Sequence, residues 1–231
     1  MIPLRRRLRA VAEMIPPATE LVLDIGTDHA YLPVFLVQSG RAMHVIASDI
    51  AQLPLEKAAR TVEKYGEQAR VTLHLGDGMQ DLADCGADAA VIAGMGGEMI
   101  IHILAQAESA VGGNMRLILQ SMTRCEVLRR WLGENGFAIV NEKLVEDEKI
   151  YQVIEARYDG MVRHPSLYQC VVGSAHDDRA LFQKHLLRLI GVYTERILGK
   201  QRAGLPVTEE TALVQAMQTA LQEVSNEYLG V

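Results

Sequence analysis

The apolar positions of the chain alternate between short continuous runs and helical spacings from residue 4 to residue 158. Leu4, Leu8, Val11, Met14 and Ile15 recur at helical intervals with the arginines largely on the other face, and Pro16-Pro17 ends that helix. Leu21, Val22, Leu23 and Ile25 make a first buried strand. Gly26 breaks it, because a sharp turn after a strand often needs φ values that only glycine adopts cheaply. Polar Thr27, Asp28 and His29 stand at the strand end, and a helix is expected over 30–37. The pattern then repeats. Strands are expected over 43–48, 71–75, 88–97 and 116–120, and helices over 54–65, 98–107 and 125–134. Two further strands, 137–146 and 150–158, are joined by the polar turn Asp147-Glu148-Lys149 and read as an antiparallel pair. Strands alternating with helices predict an α/β, Rossmann-like doubly wound sheet, mostly parallel, with an antiparallel strand at its end.

After Gly160 the strand pattern stops. Two long helical stretches, 174–199 and 208–229, are split by Gly204-Leu205-Pro206. Leu186, Leu189, Ile190, Tyr193 and Ile197 line one face of the first, and Leu213, Val214, Met217, Leu221, Val224 and Tyr228 one face of the second. Thr208 is a candidate cap. The pattern predicts an antiparallel, coiled-coil-like α-helical hairpin. The domain division is therefore expected at 1–160 and 161–231.

Composition narrows this only a little. The three cysteines, Cys85, Cys125 and Cys170, are far apart, so neither a disulfide framework nor a metal motif is expected, and a reducing cytoplasmic location follows. No run of apolar residues is long enough to span a membrane, and no signal peptide is expected. The net charge of −6 argues against a surface coated for nucleic acid, yet the first nine residues hold four arginines and no acid. Arg5, Arg6 and Arg9 are therefore either a solvated helix face or a phosphate-contacting arm.

The chemistry concentrates at strand ends. Asp49 ends the second strand 23 residues after Gly26, where an acid can accept hydrogen bonds from ribose hydroxyls. Gly76-Asp77-Gly78 follows the third strand and could present a carboxylate and backbone to an adenine edge, and Gly94-Met95-Gly96-Gly97 opens the tip of the fourth. Such a row suits a cofactor containing a nucleoside. A pyrophosphate would be repelled by Asp28, which stands where a dinucleotide motif wants its second glycine. S-adenosylmethionine carries an ammonium and a sulfonium instead, so acids at this turn favour it over a nicotinamide dinucleotide. The antiparallel terminal pair points the same way, toward the methyltransferase variant of the doubly wound fold.

Asp24-Ile25-Gly26-Thr27-Asp28-His29-Ala30-Tyr31-Leu32-Pro33, Gly76-Asp77-Gly78, Ile92-Ala93-Gly94-Met95-Gly96-Gly97 and Lys149-Ile150-Tyr151 together resemble the bacterial tRNA (adenine-22-N1)-methyltransferase family. The resemblance runs through about residues 4–158 and implies a class I S-adenosylmethionine-dependent enzyme. It implies methyl transfer to N1 of an adenine in the D-arm region of tRNA, with RNA contacts from both domains. Carried over position by position, Asp24, Gly26, Thr27, Asp28 and His29 would lie near the methionine portion of the cofactor. Asp49 and Ile50 would meet its ribose, Asp77 and Gly78 its adenine. Gly94, Met95, Gly96 and Gly97 would separate cofactor from target base, and Asp28 would be catalytic. Arg5, Arg6, Arg9 and Tyr31 are the expected substrate contacts. The family's Gln-Pro-Asn after the fifth strand is here Gln120-Ser121-Met122. No metal is expected, and the chain would act as a monomer or weak dimer. Other class I methyltransferase substrates, and a cofactor- or RNA-binding protein without transfer, stay open at this stage.

Overall fold

The computed structural model describes residues 1–82, 84–107, 115–174 and 177–228, with side chains to 225. In chain order the elements are α1 (Arg6–Glu13), β1 (Thr19–Ile25), α2 (Tyr31–Gln38), β2 (Ala42–Asp49), α3 (Gln52–Tyr65) and β3 (Val71–Leu75). Then come β4 (Ala89–Gly96), α4 (Gly97–Gln106), β5 (Arg116–Thr123), α5 (Cys125–Glu134), β6 (Phe137–Glu146) and β7 (Ile150–Tyr158). Three helices follow: α6 (Leu167–Val172), α7 (Arg179–Arg202) and α8 (Thr208–Tyr228).

The seven strands form one sheet in the order β3-β2-β1-β4-β5-β7-β6. β1 to β5 pair in parallel, and β7 runs antiparallel to both of its neighbours. The carboxyl ends of the five parallel strands therefore share one edge, with the order reversal between β1 and β4 at its middle. Open α/β sheets bind ligands at such a point.

Strand alternation divides the core in two. Val22, Val91 and Ile118 pack on the face covered by α1 and α2, whereas Leu23, Ile92, Leu117 and Leu119 pack under α4 and α5. A third apolar cluster joins α6, α7 and α8 to Leu144 of β6. Between the second and third clusters sits a buried ion pair. Arg129 of α5 donates from Nε to Glu142 Oε1 at 2.6 Å and from Nη1 to the Cys170 carbonyl at 2.8 Å. Ser174 Oγ donates to the other Glu142 oxygen at 2.8 Å. One charged pair thus ties the sheet to the helical segment.

The helical half departs from its expected outline. The helix expected over 174–199 is α7, shifted to Arg179–Arg202, and a short helix that was not expected, α6, precedes it; local signals set both. Ser166 and Gln169 close a capping box, Gly173 takes φ +77°, and Asp178 accepts from Leu181 N–H to begin α7. Residues 175–176 and the side chain of Tyr228 lie outside the described residues. Thr208 is the first helical residue rather than a cap; the Val207 carbonyl accepts from Thr211. α1 is shorter than the expected 4–15. β5 runs three residues beyond the expected 116–120, because a bulge at Gly94 lets β4 keep pairing as far as Gly96 with Thr123.

Candidate functional site

The β1 turn is built from two backbone choices. Gly26 sits at φ +80°, and its N–H and that of Thr27 both donate to the Ser48 carbonyl, at 2.8 and 2.9 Å. Ala30 takes the left-handed conformation, φ +54°, and starts α2 at Tyr31 rather than at Ala30. The chain after β1 is thereby folded over the edge of the sheet, around a cavity of about 320 Å³. Asp24, Gly26, Thr27, Asp28, His29, Tyr31 and Gly94 line it, together with Arg7.

Its electrostatics favour a cation. Asp24 is buried to 7% exposure, and burial pushes its carboxyl up to about 6. The Thr27 hydroxyl lies close by without completing a hydrogen bond and offsets only part of that rise, to which the charge of Asp49 adds. Thr27 Oγ1 and Ser48 Oγ are both buried without a partner. Buried hydroxyls are seldom left so, and Thr27 borders a cavity that a polar ligand can fill. Asp28 stands exposed at the mouth, 3.4 Å from Lys57 Nζ and 3.1 Å from His29 Nε2. The His29 and Tyr31 rings stack at 5.2 Å, with Tyr31 exposed at the rim rather than packed in the core.

The neighbouring tips continue the row. Asp49 accepts from Ala51 N–H on Oδ1 at 2.8 Å, which holds the carboxylate at the end of β2. Ile50 beside it is exposed. Past β3, Asp77 is exposed and Gly78 sits at φ +72° over Ile103. At the β4 tip Gly94 is at φ +84°, and the Met95 methyl lies against Gly26 so closely that a Cβ there would overlap it. Gly96 faces the Thr123 hydroxyl. Gly97 is different. It is buried at the start of α4, and a Cβ would strike the Arg124 carbonyl. Close helix–strand packing accounts for that glycine.

The four N-terminal arginines separate. Arg5 pairs with Glu148 at 2.6 Å and Arg9 with Glu13 at 3.3 Å, both on the surface, and Arg6 is exposed. None of these three lines the cavity. Arg7 does: its guanidinium donates to Gln120 Oε1, lies 5.7 Å from the Tyr151 ring centre and borders Gly94. Its backbone N–H donates to Asp147 Oδ2 at 3.1 Å, anchoring α1 to the β6–β7 turn. The signal was present in the spacing, since residue 7 falls three after Leu4 and four before Val11, on the inward stripe. Gln120 is fully buried, and its Nε2 donates to the Ser121 carbonyl at 2.7 Å.

Asp24 makes one consequence measurable. With its carboxyl at about 6, against an ordinary value of 3.8, the empty site keeps its proton up to about pH 6, so the stability fully present below pH 3.8 is lost as pH rises through 6. A shift of this size corresponds to about 3 kcal/mol. An ammonium ligand reverses the preference by pairing with the carboxylate. We expect S-adenosylmethionine to bind about tenfold more weakly at pH 5 than at pH 7. Calorimetric titration across that range checks this, and Asp24→Asn should flatten the profile.

Among the described residues no group of three or more His, Cys, Asp or Glu side chains could hold a metal ion, and no helix is long and apolar enough to cross a membrane.

Residues 4–154 match the family model described as a methyltransferase domain. The tRNA (adenine(22)-N(1))-methyltransferase of Bacillus subtilis (strain 168) is 38% identical over 168 residues, which cover 69% of this chain and 70% of that protein. The crystal structure of the B. subtilis M1A22 tRNA methyltransferase TrmK matches 98% of this chain and 99% of its own, at 30% identity and TM-score 0.78. M. capricolum TrmK in complex with S-adenosyl-homocysteine matches 97% of each chain, at 26% identity and TM-score 0.72.

Proposed function

The chain belongs to the tRNA (adenine(22)-N(1))-methyltransferase family, and on that premise we propose that it methylates N1 of an adenine in tRNA, at position 22 in the D-arm region. The observation that carries the reading is the cavity at the β1–β4 reversal, lined by Asp24, Asp28, the unpartnered Thr27 hydroxyl and Arg7, whose guanidinium donates to Gln120. S-adenosylmethionine fits this donor set: it supplies a methyl group on a sulfonium, next to an ammonium and a nucleoside.

The chain's own residues have the following parts in this reading. Asp24, Gly26 and Thr27 hold the charged amino-acid end of the cofactor. Asp49 takes its ribose hydroxyls, with Ile50 against the base and Asp77-Gly78 at the adenine edge. Gly94 and Gly96 keep side chains out of the space between cofactor and target, and Met95 closes over the Gly26 turn. Adenine N1 carries a free lone pair, so no residue has to deprotonate it, and alignment supplies much of the rate. Asp28, at the cavity mouth, stabilises the positive charge that methylation leaves on the base or takes a proton from its N6. His29 and Tyr31 offer a stacked pair at the rim for a base that must leave its pairing to expose N1.

Residues 1–160 act as the cofactor-binding domain and 161–231 as a helical domain that helps hold the RNA. The chain acts as a monomer or weak dimer, and a tRNA substrate fits a cytoplasmic place of work. Incubation with methyl-labelled S-adenosylmethionine and total tRNA should put label into RNA as 1-methyladenosine, at one nucleotide on mapping. Label in protein or small molecules, or cofactor binding without transfer, would replace this reading.

A further inference from the structure

A second cleft opens on the same edge of the sheet, one residue beyond Gln120. It has a volume of about 270 Å³ and lies between the tip of β5, the start of α5 and the middle of α7. Its wall carries four cations. Arg124 is met by Glu98 at 3.3 Å and Glu126 at 3.7 Å, and Arg196 by Glu210 at 3.7 Å. Lys149 lies over the Tyr151 ring at 5.3 Å, and neither it nor Arg188 has a carboxylate within ion-pair distance among the described residues. Two uncompensated cations in one cleft of an acidic protein call for an anion.

Two further features point the same way. Ser121 Oγ lines the cleft and is buried without a hydrogen-bond partner, in a residue only 7% exposed. The ten-residue helix α5 begins here with Arg124 in the left-handed conformation, φ +60°, and with no side-chain cap, so its first N–H groups are unclaimed by a capping oxygen. A hydroxyl donor, an uncapped helix start and two free cations together match a phosphate, and the two rings in the cleft, Tyr151 and Tyr193, are already covered by Lys149 at 5.3 Å and Arg196 at 5.7 Å.

We propose that this cleft receives a backbone phosphate of the substrate RNA, close to the target adenine, and so sets the register of the strand over the cofactor cavity. The inference rests on the reading that the substrate is RNA. Arg7 and Gln120 bridge the two sites: Gln120 accepts from Arg7 on the cofactor side and precedes Ser121 in β5. A phosphate held at Ser121 would therefore fix the strand one short step from the reacting base.

The test is binding of unmodified tRNA to the full chain, followed by fluorescence anisotropy without cofactor over roughly 50 to 300 mM salt. Arg188→Gln should raise Kd about tenfold and lower the log–log salt slope by about one, with S-adenosylmethionine affinity and thermal stability unchanged. Arg188→Lys should restore the slope. Wild-type affinity and slope in Arg188→Gln would overturn the proposal. So would competition by inorganic phosphate that Arg188→Gln abolishes without any change in RNA binding, since the cleft would then serve a free anion. Methyl transfer is scored separately on the wild type. Its absence alongside Arg188-dependent RNA binding defeats the catalytic reading and leaves the phosphate site standing.

Discussion

Asp28→Asn is expected to slow methyl transfer to tRNA about a hundredfold under single-turnover conditions, with S-adenosylmethionine affinity nearly unchanged. The asparagine keeps the shape of the side chain and removes its charge. Methylation at N1 leaves a cation on the adenine, and a carboxylate already in place at the cavity mouth stabilises that charge without reorganisation. Losing one such preorganised group costs about 3 kcal/mol at the transition state. In the resting site the exposed carboxylate lies 3.4 Å from Lys57 Nζ and 3.1 Å from His29 Nε2. Asp28 is exposed and Asp24 buried, and in the proposed reading the inner acid would face the cofactor and the outer one the incoming base. A transfer rate equal to wild type, with cofactor binding intact, would remove Asp28 from the chemistry.

The second large effect is on stability. Arg129→Leu should lower the free energy of unfolding by about 3–5 kcal/mol, because it leaves the Glu142 carboxylate buried without its countercharge. Both side chains of the pair are nearly inaccessible, at 3% and 2% exposure, so water cannot replace the lost guanidinium. The Cys170 carbonyl loses its donor as well. Arg129→Leu combined with Glu142→Leu should recover much of the loss, since an apolar pair removes the unpaired charge. Denaturant unfolding of the two single variants and the double variant measures this as a coupling energy. Near-additive losses would mean that the pair is not what ties the helices to the sheet. The same variants should leave cofactor affinity little changed, because the pair lies away from the β1–β4 reversal.

Much of the α/β frame could be read from the chain because its signals are local. The run Leu21 to Ile25 is apolar on both faces and therefore central in the sheet, and it is the third of seven strands in the observed order. Gly26 takes the positive φ that its place after a strand run suggested, and Gly78 and Gly94 adopt it as well. Ser166 and Gln169 stand at box spacing, but the six-residue α6 that they start is too short to show an apolar periodicity, unlike α7 beyond it. Gly97 shows the opposite case. Its glycine-rich neighbours suggested a ligand, whereas its reason for being glycine is the carbonyl of Arg124, twenty-seven residues away in the chain.

The residues themselves determined the element types, the parallel sheet with its reversed terminal strand, and the preference for a cationic cofactor, because periodicity, glycine turns and the sign of a charge act over a few residues. Which arginine faces the site, how deeply Asp24 is buried against Asp28, and that Ser121 and Arg188 share a cleft were decided only by tertiary packing. Each of these depends on partners more than thirty residues away, such as Gln120 for Arg7 or α7 for the tip of β5. Desolvation and countercharge are properties of the assembled surroundings, and no spacing along the chain encodes them.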